Sequence, residues 1–356
     1  MGTNADATSE RRLRVVQWTT GIVGASALRG IVEDPRLDLV GVFAHSAEKA
    51  GVDAGTLAGI DLVGITATND IESVLALRPD CVVYMPQWPD VAELERLLAA
   101  GINVVTTARL VTGRHYPGLA GDRLARAAEQ GGASLFGTGM NPMHIPTITL
   151  ASTAMCRRVH HVRILESVDC AMYGAAPTWE AYGFGTPLEP ERLTADLLDA
   201  EPDYKEALDS IAEGLGVRLD DYRLTADYAV AAEDRQLDFM FIGKGTVSAL
   251  DATWAGLVDG ESFVELHTVW RLGSIFGFND LPDWPVLHGY EVHVAGEPNI
   301  DMKLNFMPED LANIDIGIPT AMPAINAIPA VCAGPAGVLT PVDLTLVTAR
   351  GVPRTG

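Results

Sequence analysis

The stretch Leu13-Arg-Val-Val-Gln-Trp-Thr-Thr-Gly-Ile-Val-Gly24 constrains this chain more than any other. An apolar run from Leu13 to Val16 meets a glycine-bearing turn, and a helix-like segment follows from Val23 to Glu33. A strand that stops at such a turn and feeds a helix aims backbone N–H groups and a positive helix end at one point, where a pyrophosphate fits. The full pattern G-x-G-x-x-G would put a glycine at position 19, which here is Thr19; Gly21 and Gly24 remain for close backbone approach and tight helix packing. Strain at Thr19 is expected to be small, provided that the position does not need a positive φ. Thr19, Thr20, Gly21, Ile22, Val23 and Gly24 are therefore the expected phosphate cradle of a dinucleotide.

The 356 residues suggest two domains, and a 48% hydrophobic, 20% charged composition describes a globular chain. A formal net charge of −22 repels nucleic acid and anionic membranes, so neither is expected as a partner. An anionic cofactor then needs a local positive exception. Cys81, Cys156, Cys170 and Cys332 stand in isolation, without the spacing of a zinc site, so no metal is expected. They fit a reducing cytoplasm. Residues 1–12 are polar, lack the apolar core of a signal peptide and read as a flexible tail.

From 13 to 150 short apolar strands alternate with helices. Leu39–Ala44, Cys81–Met85, Ile102–Thr107 and Ser134–Gly137 are the strands after the first, and Asp90 is placed to cap a helix with Leu94, Leu97 and Leu98 on one face. This alternation predicts an α/β domain with a parallel sheet covered on both faces. From 151 to 315 the strands are longer and alternate in polarity: Arg158–Cys170, Thr246–Asp259, Glu261–Gly273, His288–Ala295 and Asn299–Phe306. They predict a mostly antiparallel sheet in an α+β domain, with a hairpin turn at Val258-Asp-Gly-Glu261. Asp196 and Glu206 fall on acidic helices and read as solvated. Residues 316–356 are apolar and proline-kinked, and are expected to pack back on the first domain.

Ligands of such a parallel sheet sit beyond the carboxyl ends of its strands. After the second strand come Ala44-His45-Ser46-Ala47-Glu48-Lys49, where sites selective for NAD usually place a carboxylate. The imidazole of His45, the hydroxyl of Ser46 and the ammonium of Lys49 suit a 2′-phosphate better. NADP is the expected cofactor, with NAD left open by Glu48.

Val15-Val-Gln-Trp-x-Thr-Gly-x-Val-Gly24, Asn103-Val-Val-Thr-Thr107, Gly137-Thr-Gly-x-Asn-Pro142 and Thr320-Ala-Met-x-Ala-Ile-Asn-Ala-Ile-Pro-Ala-Val-Cys332 resemble the native amine dehydrogenase and 2,4-diaminopentanoate dehydrogenase family, relatives of dihydrodipicolinate reductase. The resemblance spans nearly the whole chain. It implies a Rossmann N-terminal domain, a C-terminal substrate domain with an open sheet, a homodimer, and hydride transfer from NAD(P)H to an imine. It implies further that Ser46 and Lys49 lie near the adenosine ribose and that Pro86, Gln87 and Thr107 line the cofactor's path. Asn141 and Pro142 would approach the nicotinamide, Asn326 and Ala327 would close over it, and Tyr173 and His267 would line the substrate pocket. Phe263, Glu265 and His267 share one face of their strand, which could turn an acid and an imidazole toward the nicotinamide. His160-His161 resembles the histidine pair of dihydrodipicolinate reductase, but a strand points adjacent side chains apart, so a shared role is not expected.

One departure bears on the chemistry. Amine-forming relatives carry a glutamate just after the Val-Val-Thr-Thr strand, and this chain has Ala108-Arg109. A carboxylate there handles ammonia's protons and stabilises an iminium; the fixed positive charge of Arg109 favours an oxyanion or a substrate carboxylate instead. The expected function is hydride transfer to a C=N or C=O carbon of a small, fairly apolar ketone or amine substrate held between Tyr173, His267 and Arg109. The alternative is a dinucleotide-binding sensor that has lost catalysis.

Overall fold

The computed structural model describes residues 11–200, 202–274, 277–278, 282–285, 288–306 and 315–351, apart from the side chains of 142, 199 and 200. Most of the expected N-terminal tail, residues 1–10, lies outside this range. The chain forms two units, one from the residues up to Asn141 together with those from Gly317 on, the other from Pro142 to Ile316.

The first unit begins with β1 (Leu13–Trp18), α1 (Ile22–Glu33), β2 (Leu37–Phe43), α2 (Ala54–Ala58), β3 (Ala67–Thr68), α3 (Ile71–Leu77) and β4 (Cys81–Tyr84). It continues through α4 (Val91–Ala99), β5 (Asn103–Thr106), α5 (Ala120–Gly131) and β6 (Ser134–Gly137). Asp90 caps α4, accepting from the N–H groups of Ala92 and Glu93 at 2.8 and 3.2 Å. Successive strand residues face opposite sides, so Val15, Val83 and Val105 join Leu28 and Ile31 of α1 in one core. Val16, Val82 and Val104 join Leu94, Leu97, Leu98 and Leu124 in the other. Both faces of the sheet are covered, as a parallel sheet requires.

The second unit contains α6 (Ile145–Thr153), β7 (Val159–Asp169), α7 (Ala176–Ala181), α8 (Pro190–Ala200), α9 (Pro202–Gly214) and β8 (Asp221–Val230). After it come β9 (Arg235–Gln236), β10 (Phe241–Ile242), β11 (Val247–Val258), β12 (Glu261–Arg271), β13 (Gly289–Gly296) and β14 (Ile300–Asn305). Its large sheet runs β14-β13-β7-β12-β11-β8. Every neighbouring pair is antiparallel except β7 with β12. Asp259 and Gly260, at φ 51° and 83°, make the tight turn between β11 and β12. α9 covers one face of the sheet, where the Tyr204 ring stacks on Trp254 at 4.1 Å.

Two features of this unit depart from expectation. β8 was not anticipated, although Tyr222, Leu224, Ala226 and Tyr228 alternate along it. Glu206 is not solvated: it is 1% exposed on the inner side of α9, among Tyr204, Ala207, Leu208 and Ile211, which packing rather than helix charge decides. Asp196 does stand in solvent, paired with Arg192.

The chain then returns to the first unit. α10 (Ile318–Cys332) runs unbroken through Pro323 and Pro329, and β15 (Gly337–Leu339) follows. Ala321, Ala324, Ile325, Ala327, Ile328 and Val331 enter the core beside α1. β15 pairs in parallel with β6 and completes the order β15-β6-β5-β4-β1-β2-β3. Among the described residues no helix is long and apolar enough to cross a membrane.

Candidate cofactor and active site

The turn between β1 and α1 is built around a left-handed residue. Thr19 has φ 70°, so the condition for small strain is not met: a β-branched residue sits where glycine is favoured, at a cost on the order of 1–3 kcal/mol. Its N–H donates to Phe43 O at 2.8 Å, which ties the turn to β2. Gly24 has no room for a side chain, because a Cβ there would lie 2.4 Å from Thr19 O. A Cβ at Gly21, by contrast, would meet nothing within 4 Å, so the mouth of the turn is open. Gly21 caps α1 without a side-chain hydrogen bond, and the first turn of α1 holds no acidic residue. The helix end therefore keeps its partial positive charge.

A cation reinforces it. Lys49 Nζ donates to Thr20 Oγ1 at 3.0 Å and to Thr20 O at 3.2 Å. On a chain of net charge −22 this is the local positive exception that an anion needs. Ser46 is exposed beside it. His45 is engaged elsewhere: its Nε2 lies 2.9 Å from Glu93 Oε1, and Tyr84 donates to the other oxygen of Glu93 at 2.7 Å. A carboxylate is thus already beside the imidazole that the sequence offered to a phosphate. Burial and the Glu93 contact push the Tyr84 phenol far above its usual range.

The later loops carry the remaining candidates. Pro86, Gln87 and Thr107 are half-buried, and the Thr107 N–H donates to Tyr84 O at 3.2 Å. The Arg109 guanidinium lies 4.6 Å from the centre of the exposed Trp88 ring, a cation–π contact between the loops after β4 and β5. Arg109 also adopts a left-handed backbone, at φ 53°, and its carbonyl accepts from the Tyr116 hydroxyl. Asn141 and Asn326 are half-buried. Ala327 is fully buried in the core of the first unit and offers no surface to a ligand, which corrects its assignment to the nicotinamide. The side chain of Pro142 lies outside the described residues.

Tyr173 and His267 are not brought together. The Tyr173 ring meets Trp179 edge-on at 6.0 Å, and Trp179 meets Trp270 at 5.8 Å. Burial raises the Tyr173 phenol above its ordinary pKa. Trp270 and His267 are three residues apart on β12 and so face opposite sides of the sheet. On its own side His267 has both nitrogens engaged, Nε2 at 2.7 Å from Asp251 and Nδ1 at 2.8 Å from the Arg163 guanidinium. An arginine can only donate, so Nδ1 is the acceptor in that contact. Glu265 shares this face as expected, within 4.0 Å of Arg163. On the Trp270 side the buried carboxylate of Glu166 accepts from Tyr290 at 2.5 Å and from Trp270 Nε1 at 3.0 Å.

Gln17 was not singled out from the sequence. It is fully buried beneath the turn, and its amide donates to Trp18 O at 3.1 Å and Thr19 O at 3.0 Å. The signal was a polar residue set between the apolar Val16 and Trp18 at the carboxyl end of the strand. Among the described residues no group of three or more His, Cys, Asp or Glu could hold a metal ion.

A parallel sheet with an open glycine turn at its first crossover, followed by an α+β unit on a mixed sheet, defines a Rossmann-type protein of two units. Residues 143–351 match the 2,4-diaminopentanoate dehydrogenase C-terminal domain. An amine dehydrogenase of Streptomyces virginiae is 31% identical over 316 residues, which cover 83% of this chain and 86% of that protein. Among solved structures, the amine dehydrogenase from Mycobacterium smegmatis superposes with a TM-score of 0.77 at 21% identity, covering 95% of this chain and 97% of that one. GenD2 from gentamicin A biosynthesis, solved in complex with NAD, has the same kind of fold at a TM-score of 0.53 and 17% identity, covering 96% and 93%. The chain belongs to the amine dehydrogenase and 2,4-diaminopentanoate dehydrogenase family.

Proposed function

We propose that this protein catalyses hydride transfer between a nicotinamide dinucleotide, NADP in preference to NAD, and the C=N or C=O carbon of a small, fairly apolar ketone or amine. The observation that carries this reading is the open turn from Thr19 to Gly24 on an uncapped helix end, with the Lys49 ammonium tied to Thr20. The dinucleotide, when bound, supplies or accepts the hydride. Thr20, Gly21, Ile22 and Val23 would present the turn to its diphosphate, and Ser46 and Lys49 would meet a 2′-phosphate. Pro86, Gln87, Thr107, Asn141 and Asn326 would line its path. Arg109 would stabilise negative charge on a substrate oxygen, and Tyr173, an aromatic residue of the second unit, would line a substrate pocket. His267 is left with a structural part, because its hydrogen bonds are made within its own sheet.

The decisive assay is reduction of a panel of aliphatic and aryl ketones with NADPH or NADH, with and without ammonia. Ketone reduction without ammonia, at a lower KM for NADPH than for NADH, is expected. Turnover that requires ammonia would overturn the part given to Arg109.

We further infer a homodimer acting in the cytoplasm. Asp227, Thr225 and Arg163 on one face of the second sheet are exposed in the single chain, and the four cysteines are free thiols, as a reducing compartment keeps them. Sedimentation velocity should give twice the chain mass; a monomer at micromolar concentration would refute the dimer.

A further inference from the structure

We propose that Gln17 is a positioning residue for the dinucleotide: its side-chain amide holds the turn in the shape that a glycine at position 19 would otherwise allow. The proposal rests on the cofactor reading above. Three observations converge on it. First, Thr19 occupies the left-handed region at φ 70°, which a β-branched residue adopts only under constraint. Second, the constraint is visible. Gln17 is fully buried, and its Nε2 donates to Thr19 O at 3.0 Å and to Trp18 O at 3.1 Å. Only the NH₂ end of the amide can face two carbonyls, so its orientation follows from chemistry. The Trp18 carbonyl has a second donor in Met85 N–H at 3.1 Å, which leaves the Thr19 carbonyl as the one that relies on Gln17. Third, a Cβ at Gly24 would lie 2.4 Å from Thr19 O and 3.2 Å from Gln17 Nε2, so the missing side chain at 24 makes the space in which the two meet.

The consequence for a ligand is electrostatic. A trans peptide points its N–H opposite to its C=O. Drawing the Thr19 carbonyl inward onto Gln17 therefore turns the Thr20 N–H outward, and it removes a carbonyl dipole that would repel a diphosphate. The Thr19 hydroxyl is buried without a hydrogen-bond partner, so the side chain itself contributes no bond to the arrangement. Gln17 Oε1 is likewise unpartnered, and the useful end of the amide is its donor end.

The test is a double-mutant cycle on the full-length protein, read by titration with NADPH and by steady-state kinetics. Gln17→Leu keeps the volume and removes the donors. It should raise Kd and KM for NADPH by roughly tenfold or more, the effect of leaving one buried carbonyl without its donor, while kcat at saturating NADPH is retained. In the Thr19→Gly background the same substitution should change Kd by less than about threefold, because glycine holds a positive φ unaided. An unchanged NADPH affinity in Gln17→Leu, or an equal loss in both backgrounds, overturns the proposal. Should Gln17→Leu alone fail to fold, Thr19→Gly and Gln17→Leu/Thr19→Gly are compared with each other: near-equal affinity supports it and a large difference overturns it. Failure of the wild-type protein to bind either dinucleotide would refute the cofactor reading itself and needs no variant to detect.

Discussion

Replacing Gly24 with alanine should abolish dinucleotide binding while leaving the protein folded. The added Cβ would stand 2.4 Å from the Thr19 carbonyl oxygen and 2.9 Å from its carbon, both backbone atoms that no rotamer change can move aside. Relief must come from the turn, whose central residue is already held in a sparsely populated conformation. The displaced carbonyl then swings toward the place where a diphosphate would lie. A loss on the order of 100-fold or more in NADPH affinity is expected, since strained sites of this kind store a few kcal/mol and the ligand needs several amides at once. Alanine suits a helix interior better than glycine by about 1 kcal/mol, so α1 itself should persist. Calorimetric titration and far-ultraviolet circular dichroism separate the two effects. Binding within threefold of wild type would show that the turn is not the cofactor site.

A second large effect is expected at Arg109. Its guanidinium carbon lies 4.6 Å from the centre of the Trp88 ring, its carbonyl is anchored by Tyr116, and its backbone is left-handed. The planar donor fork of a guanidinium matches a carbonyl or carboxylate oxygen. Arg109→Ala should lower kcat/KM for ketone reduction by about 10²–10³-fold, the range found when one donor to a developing oxyanion is removed. Arg109→Lys should recover little, because an ammonium is a point charge without the planar fork. A variant with near wild-type ketone turnover would remove Arg109 from the chemistry.

The sequence announced the first crossover plainly, because an apolar run, two glycines and a helix are all local. The capping of α4 by Asp90 was legible for the same reason. What stayed hidden depended on distant partners. Glu206 has the neighbours of a solvated helix residue and is nonetheless buried, since the sheet that covers it lies far along the chain. Nothing local to His45 announces Glu93, which α4 places beside it. Tyr173 and His267 looked like one pocket because nothing local in a loop residue reveals the face it joins; the contact through Trp179 to Trp270 does. The strain at Thr19 was conditional on a φ that no side-chain pattern reports.

The return of the chain through α10 and β15 has a consequence for biosynthesis. A ribosome makes the turn and six strands of the first sheet early, then the whole of the inserted unit, and only at the end the helix that fills one side of the first core. The inserted unit can close on itself while that core still lacks Ala324, Ile325 and Ile328. Nascent chains should thus acquire structure from the middle outward, and the nucleotide-binding half matures only once α10 and β15 have left the exit tunnel.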